Sequence, residues 1–260
     1  MAALPISDDY PARRAPVVTY LLIAANVVVY LITPVAALLT RYGVDTTREC
    51  AQVVFLYEWA AIPRELLGGH QIPLHELRDS IIPGPCLGQL TAFHKTVWLS
   101  PLYAMFLHGS WLHILGNMLY LYVFGTRVED RMGHLRYLVA YLAFGYISAY
   151  GFALTDPSAT TPLVGASGAI AGVLGAYLLI NPRGRVLGTI FYIIPIRMPA
   201  WVLLGSWFVL QWLSLEADSQ GQDSTAYAAH VYGFISGMIV GLVLRRSRNA
   251  YGTGALFAWR

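Results

Sequence analysis

Apolar and polar positions divide the chain into six long apolar runs joined by polar turns, at about residues 17–39, 110–128, 135–154, 164–180, 200–215 and 227–244. A bilayer core takes roughly 20 apolar residues per helical span, and a spanning helix satisfies its own backbone hydrogen bonds. The pattern therefore predicts six membrane helices. Two of them need trimming. The apolar stretch 97–124 is too long for one straight span, and His108, Gly109 and Ser110 interrupt it. Ser110 suits a helix N-cap, so the second span starts there. Residues 98–107 then form a membrane-embedded loop or short helix. The stretch 186–215 contains Pro195, Arg197 and Pro199. Proline lacks the N–H that a helix interior needs, so this stretch reads as an interfacial piece followed by a shorter span from about Ala200.

The first run follows Arg13 and Arg14, as in a signal peptide with a cleavage site near Val35, Ala36 and Ala37. It is longer than the usual 7–15-residue apolar region of such peptides, so it reads as a span with its amino end inside. Residues 40–97 form the longest non-spanning segment. Their apolar, aromatic middle, 53–62, suits the membrane interface.

Composition agrees with the pattern. The 260 residues are 57% hydrophobic and only 12% charged, with a mean hydropathy of +0.54. Soluble domains carry about 25% charged residues. The expected organisation is an all-α membrane domain at 17–244, between an N-terminal segment at 1–16 and a basic tail at 245–260. A net charge of +3 is too small to suggest nucleic acid, and no basic run is interleaved with aromatics. The 17 Tyr and 7 Trp suit interfacial belts.

Charge also orients the spans. With both termini cytoplasmic, the short outer turns at 155–163 and 216–225 carry no Lys or Arg, while the inner segments carry arginines throughout. The opposite orientation breaks the positive-inside rule at every short loop. Cys50 and Cys86 both lie in the long outer segment. They form a disulfide if that segment faces an oxidising compartment, or remain two unpaired thiols.

Three polar clusters remain inside apolar sequence: His108 to Asn117, Gly165-Ala166-Ser167-Gly168, and Ala229-His230-Val231-Tyr232-Gly233. His113 and Asn117 are four residues apart and share a helix face. His108 falls about half a turn out of phase with Asn117, which suits a structural hydrogen bond better than a shared site. Spans two, four and six all run inward, and His113, Ser167 and His230 each fall about one turn below the outer ends. At about 1.5 Å per residue they share a plane just inside the outer surface. Small residues repeat every four positions at Ser167, Ala171 and Gly175, and again at Gly233, Gly237 and Gly241. Such stripes let membrane helices pack backbone to backbone, with or without chemistry. If they face each other, Ser167 and His230 come within hydrogen-bond reach.

A serine hydroxyl is a weak nucleophile until a base takes its proton, and histidine suits that task. Attack on a carbonyl builds an oxyanion that needs fixed donors. His113, Asn117 and the Ser167 backbone N–H, near a helix N-terminus, are the candidates. No Asp or Glu lies near these clusters in the apolar runs, which favours a Ser–His dyad over a triad. A metal site from His108, His113 and His230 lacks the His-x-x-x-His spacing of metalloproteases. No cofactor is expected.

In order and on alternate spans, these clusters resemble those of the rhomboid family of intramembrane serine proteases. The resemblance covers roughly 98–244, including Gly125, Glu129, Gly133 and Tyr137 after span two. It implies a six-helix bundle in which Ser167 is the nucleophile and His230 the general base. His113, Asn117 and the Ser167 N–H then line the oxyanion hole, and His108 supports them. Glu129 and Arg131 are structural, and span five is a lateral gate. Transmembrane proteins are the implied substrates, in a lipid bilayer, with a bacterial inner membrane the expected location. The rival readings are a catalytically silent relative that binds membrane clients, and a small transporter. Transporters place sites at mid-depth with repeat symmetry, and neither is visible here. The sequence departs from some family members at Ala171, where they carry an aromatic that stacks on the base. Tyr232 and Tyr177 are the expected substitutes. The long outer loop is either a recognition element or an inert insertion.

Overall fold

A computed structural model describes residues 3–9, 14–190, 194–217 and 227–252. The chain is mostly helical. After strand β1 (Ala3–Asp8) comes α1 (Val17–Ile32). The 40–97 segment, expected to lie outside, holds α2 (Asp45–Trp59), α3 (Pro63–Gly68) and the single turn α4 (Leu74–Glu76). The short helix expected before span two is α5 (Ser100–Ala104). The run expected as span two is one helical rod in three parts: α6 (Trp111–Tyr120), a π-helical turn (Leu121–Gly125) and α7 (Thr126–Met132). Then follow α8 (His134–Thr155), α9 (Ser167–Ile180), strands β2 (Arg185–Ile190) and β3 (Ile194–Pro199), α10 (Ala200–Ala217) and α11 (Tyr227–Gly252).

Among the described residues, His134–Thr155 and Tyr227–Arg245 are long and apolar enough to cross a bilayer. Val17–Ile32, Ser167–Ile180 and Ala200–Leu215 are apolar but shorter. The outward faces of α1, α6, α8, α10 and α11 carry exposed Leu21, Leu115, Val139, Leu213 and Val243.

The all-α expectation needs one correction. The piece read as interfacial is a β-hairpin, and the N-terminal residues add a third antiparallel strand in the order β1-β2-β3. The prolines explain why this is permitted. Pro5 sits at a bulge on β1, and Pro195 and Pro199 sit on β3, both edge strands. The central β2 has none, as proline's missing N–H requires. Tyr177 Oη, near the C-terminal end of α9, donates to Asp8 Oδ2 at 2.6 Å and ties the sheet to the bundle.

Helix α9 is buried on every side from Gly168 to Tyr177. A helix that is apolar all round belongs in the middle of a bundle. Helix α11 crosses it with backbones nearly touching. A Cβ built on Gly237 would strike the Gly172 backbone, and one on Gly233 would meet the Gly168 carbonyl. The facing residues on α9 are thus Gly168, Ala171, Gly172, Gly175 and Ala176. The expected glycine stripe of α11 is used in full. Its partner on α9 is wider than the expected Ser167–Ala171–Gly175 row, because the neighbouring i+4 row carries small residues too.

Glu129 caps α1. Its carboxylate accepts from the N–H groups of Val18 and Thr19 at 2.8 Å and from Thr19 Oγ1 at 2.7 Å. Arg131 donates to the Leu244 carbonyl at 3.4 Å. The outer segment has its own small core, in which Cys50 and Cys86 are joined by a disulfide. Lys95 and Glu65, both 2% exposed at the side chain, pair at 2.7 Å. Burial pushes the Lys95 ammonium below its usual range, against the pull of Glu65. This unit is stitched to the bundle where Ala61 and Leu163 exchange both backbone hydrogen bonds.

Candidate active site

The turn before α9 shapes the site. Gly165 has φ +117°, a conformation that penalises any Cβ. A Cβ there would also lie 2.7 Å from His113 Nε2 and 3.6 Å from Ser167 Oγ. Glycine is needed for both reasons. Its N–H donates to the Ala104 carbonyl at 2.9 Å, fixing the turn to α5. Helix α9 therefore starts at Ser167 itself, not one turn earlier as the apolar run suggested, because Gly165 cannot be helical. As the first helical residue, Ser167 has a backbone N–H with no intrahelical acceptor.

His230, the fourth residue of α11, places Nε2 2.9 Å from Ser167 Oγ. With the ring proton on Nδ1, the serine hydroxyl donates to Nε2. His230 Nδ1 lies 2.6 Å from Gln211 Oε1 on α10. Trp207, one turn earlier on α10, sets its ring 5.8 Å from the His230 ring. Tyr232 and Tyr177, the expected substitutes for an aromatic at 171, do not fill that role. Tyr232 packs its ring against Gly151 on α8, and Tyr177 points its hydroxyl at Asp8. Gln211 was the residue missed, and its signal was a carboxamide in the middle of the fifth apolar run.

Ser110 caps α6 as expected, its Oγ accepting from His113 N at 3.1 Å. His113 Nδ1 faces the Gly109 N–H at 3.4 Å. Accepting there leaves the ring proton on Nε2, the nitrogen beside Gly165 and Ser167. His108 packs its ring edge-on against His113 at 5.0 Å. Asn117 is 8% exposed, and its Nδ2 has no hydrogen-bond partner among the described residues. An unpaired buried donor costs about 1–3 kcal/mol, so this amide has a donor to spare for a water or another acceptor. A cavity of about 20 Å³ adjoins Ser167, lined in part by Ser148, Val164 and Gly168. It has room for one water.

Apolar helices gathered around a hydrogen-bonded serine–histidine pair define a class: a helical membrane protein with a polar pair held inside its bundle. The comparisons narrow it. The chain belongs to the rhomboid family, whose Rhomboid domain model matches residues 95–247. It is therefore an integral membrane protein. It is similar to "RHOMBOID-like protein 5" of Arabidopsis thaliana, at 34% identity over 148 residues, 54% of this chain and 42% of that protein. It is similar to "Rhomboid-like protease 5" of Toxoplasma gondii, at 31% identity over 60% of this chain and 17% of that protein. "Rhomboid protein 1, mitochondrial" of Saccharomyces cerevisiae is 26% identical over 59% of this chain and 44% of its own length. The match thus spans less than half the length of each of these relatives.

Proposed function

We propose that the protein is an intramembrane serine endopeptidase that cleaves transmembrane segments with Ser167 as nucleophile and His230 as general base. The observation that carries this reading is the 2.9 Å contact between Ser167 Oγ and His230 Nε2. As Oγ attacks the scissile carbonyl carbon, its proton passes to Nε2. The carbonyl oxygen becomes an oxyanion. Three donors suit it: His113 Nε2–H, the Asn117 amide and the Ser167 N–H at the positive end of α9. Collapse breaks the C–N bond, and the imidazolium returns its proton to the leaving amine. Water then attacks the acyl-enzyme with His230 again as base. The cavity beside Ser167 can hold that water.

The membrane reading has six spans with both termini cytoplasmic. The 14 residues of α9 are about 21 Å long, against a hydrocarbon layer of about 30 Å. With the C-terminal end of α9 at the inner face, Ser167 lies several ångströms below the outer one. The Cys50–Cys86 disulfide supports an outer segment in an oxidising compartment. A bacterial inner membrane in particular draws no support from the relatives, which include mitochondrial and plant proteins.

The test is fluorophosphonate labelling of purified protein in detergent, with cleavage of a reconstituted transmembrane substrate. Labelling and cleavage are expected for the wild type, and loss of both in Ser167→Ala with the fold intact. Cleavage that survives in Ser167→Ala refutes the assignment. Wild-type protein that captures membrane clients without labelling would point to a silent relative.

A further inference from the structure

We infer that Gln211 is the positioning residue for His230, so that the base is set by α10 rather than by α9. The inference rests on the reading of Ser167 and His230 as nucleophile and base. Such a base must present an unprotonated Nε2 to the serine hydroxyl, so its ring proton must sit on Nδ1. An amide oxygen only accepts hydrogen bonds. With Oε1 at 2.6 Å from Nδ1, Gln211 holds the required tautomer and fixes the ring's rotation. Were the amide reversed, its NH₂ would donate to Nδ1. The ring proton would then move to Nε2 and face the serine, leaving no base. The orientation of one carboxamide thus decides whether the dyad is competent.

Packing explains why this duty falls on α10. On α9 the residue one turn beyond Ser167 is Ala171, fully buried where α11 crosses. A Cβ on Gly233 would lie 3.3 Å from the Ala171 Cβ. The two backbones are too close there for a ring at 171. Helix α10 offers His230 two contacts from one face. Trp207 and Gln211 are four residues apart, and both are 8% exposed. Trp207 also packs on Phe234, one turn beyond His230 on α11. The indole limits ring tilt while the amide sets the proton. The base therefore keeps its working tautomer only while α10 is packed on α11. Gln211 takes no proton itself: during attack the Nδ1–H stays hydrogen-bonded to Oε1, and only Nε2 gains and loses one.

The test pairs two substitutions with a spectrum of the unaltered protein. Gln211→Met keeps the shape and removes the acceptor, whereas Gln211→Glu keeps an acceptor for the same Nδ1–H. Gln211→Met should slow fluorophosphonate labelling and kcat by about tenfold or more, the worth of one lost hydrogen bond. Its KM and detergent melting temperature should stay near wild type. Gln211→Glu should recover most of the rate. In ¹⁵N-histidine spectra, the signal lost in His230→Ala should carry its proton on Nδ1 in wild type and shift toward the other tautomer in Gln211→Met. A wild-type rate in Gln211→Met overturns the inference, as does a wild-type His230 protonated on Nε2. Ser167→Ala separates the two claims. If wild type labels, Ser167→Ala does not, and Gln211→Met labels normally, the dyad stands and the Gln211 role alone fails.

Discussion

Replacing Gly237 with alanine adds one methyl group where α9 and α11 cross with their backbones nearly touching. A Cβ at Gly237 would lie 2.8 Å from the Gly172 Cα, and nearer still to the Gly172 carbonyl. Ordinary contacts of this kind run from 3.4 to 4 Å. Both obstacles are backbone, so neither can rotate away. The helices must part by more than about 1 Å to clear that carbonyl, and overpacking of this kind costs about 1–3 kcal/mol. His230 sits two turns up α11 and Ser167 a turn and a half up α9 from this wedge. A shift of about 1 Å at the 2.9 Å Ser167–His230 contact takes it outside hydrogen-bond range. Misplacement on that scale costs about a hundredfold in rate. Gly205→Ala on α10 is the control, since nothing lies within 4 Å of a Cβ there. Alanine is the better helix former by about 1 kcal/mol, so the control should be neutral or slightly stabilising. Labelling rates and melting temperatures of the two variants in one detergent isolate the clash from the propensity gain. If Gly237→Ala labels and melts like Gly205→Ala, close approach of α9 and α11 does not set the site.

Two further outcomes concern the outer segment. Cys50→Ser opens a 36-residue loop and should cost that segment about 4 kcal/mol; accelerated proteolysis within 45–90, and loss of the mobility shift that wild type gives on reduction, would register it. Lys95→Met strands Glu65 without its cation and should destabilise by about 3–5 kcal/mol, while Lys95→Met with Glu65→Gln should recover much of that. Equal melting temperatures for the single and double variants would count against the ion pair.

The residues of the candidate site were legible because they are rare polar groups in apolar sequence. Ser167, His113 and His230 stood out as polar groups near helix heads, with Asn117 one turn deeper, and the positions of the six apolar runs placed them toward one end. The serine–histidine contact itself was a conditional inference, since glycine stripes alone do not say which faces meet. Three features were hidden for physical reasons. Strands β2 and β3 carry apolar residues on both faces beside Arg185, Thr189 and Arg197, so their strand periodicity does not stand out from the flanking apolar runs. Gly165 looks like any other glycine in a small-residue motif until its φ and its distance to His113 are known. Gln211 belongs to the site only through the rotation of α10, which no spacing within the chain encodes.

The outer segment is better explained as scaffold than as inert insertion. The start of α9 depends on the Gly165 turn, and two residues earlier Leu163 is paired to Ala61 on both of its backbone groups. Arg64 N donates to the Ala159 carbonyl on the same connection. The connection entering the serine is therefore held by residues flanking the start of α3. Those residues are held in turn by α2, whose last turn reaches the buried Lys95 through the Tyr57 carbonyl at 3.1 Å, and whose Cys50 is bonded to Cys86. A serine at the first position of a helix has no preceding turn to fix it. In this chain the missing rigidity comes from a cross-linked unit outside the bundle. Loosening that unit should therefore be felt at Ser167 before it is felt at α9 and α11.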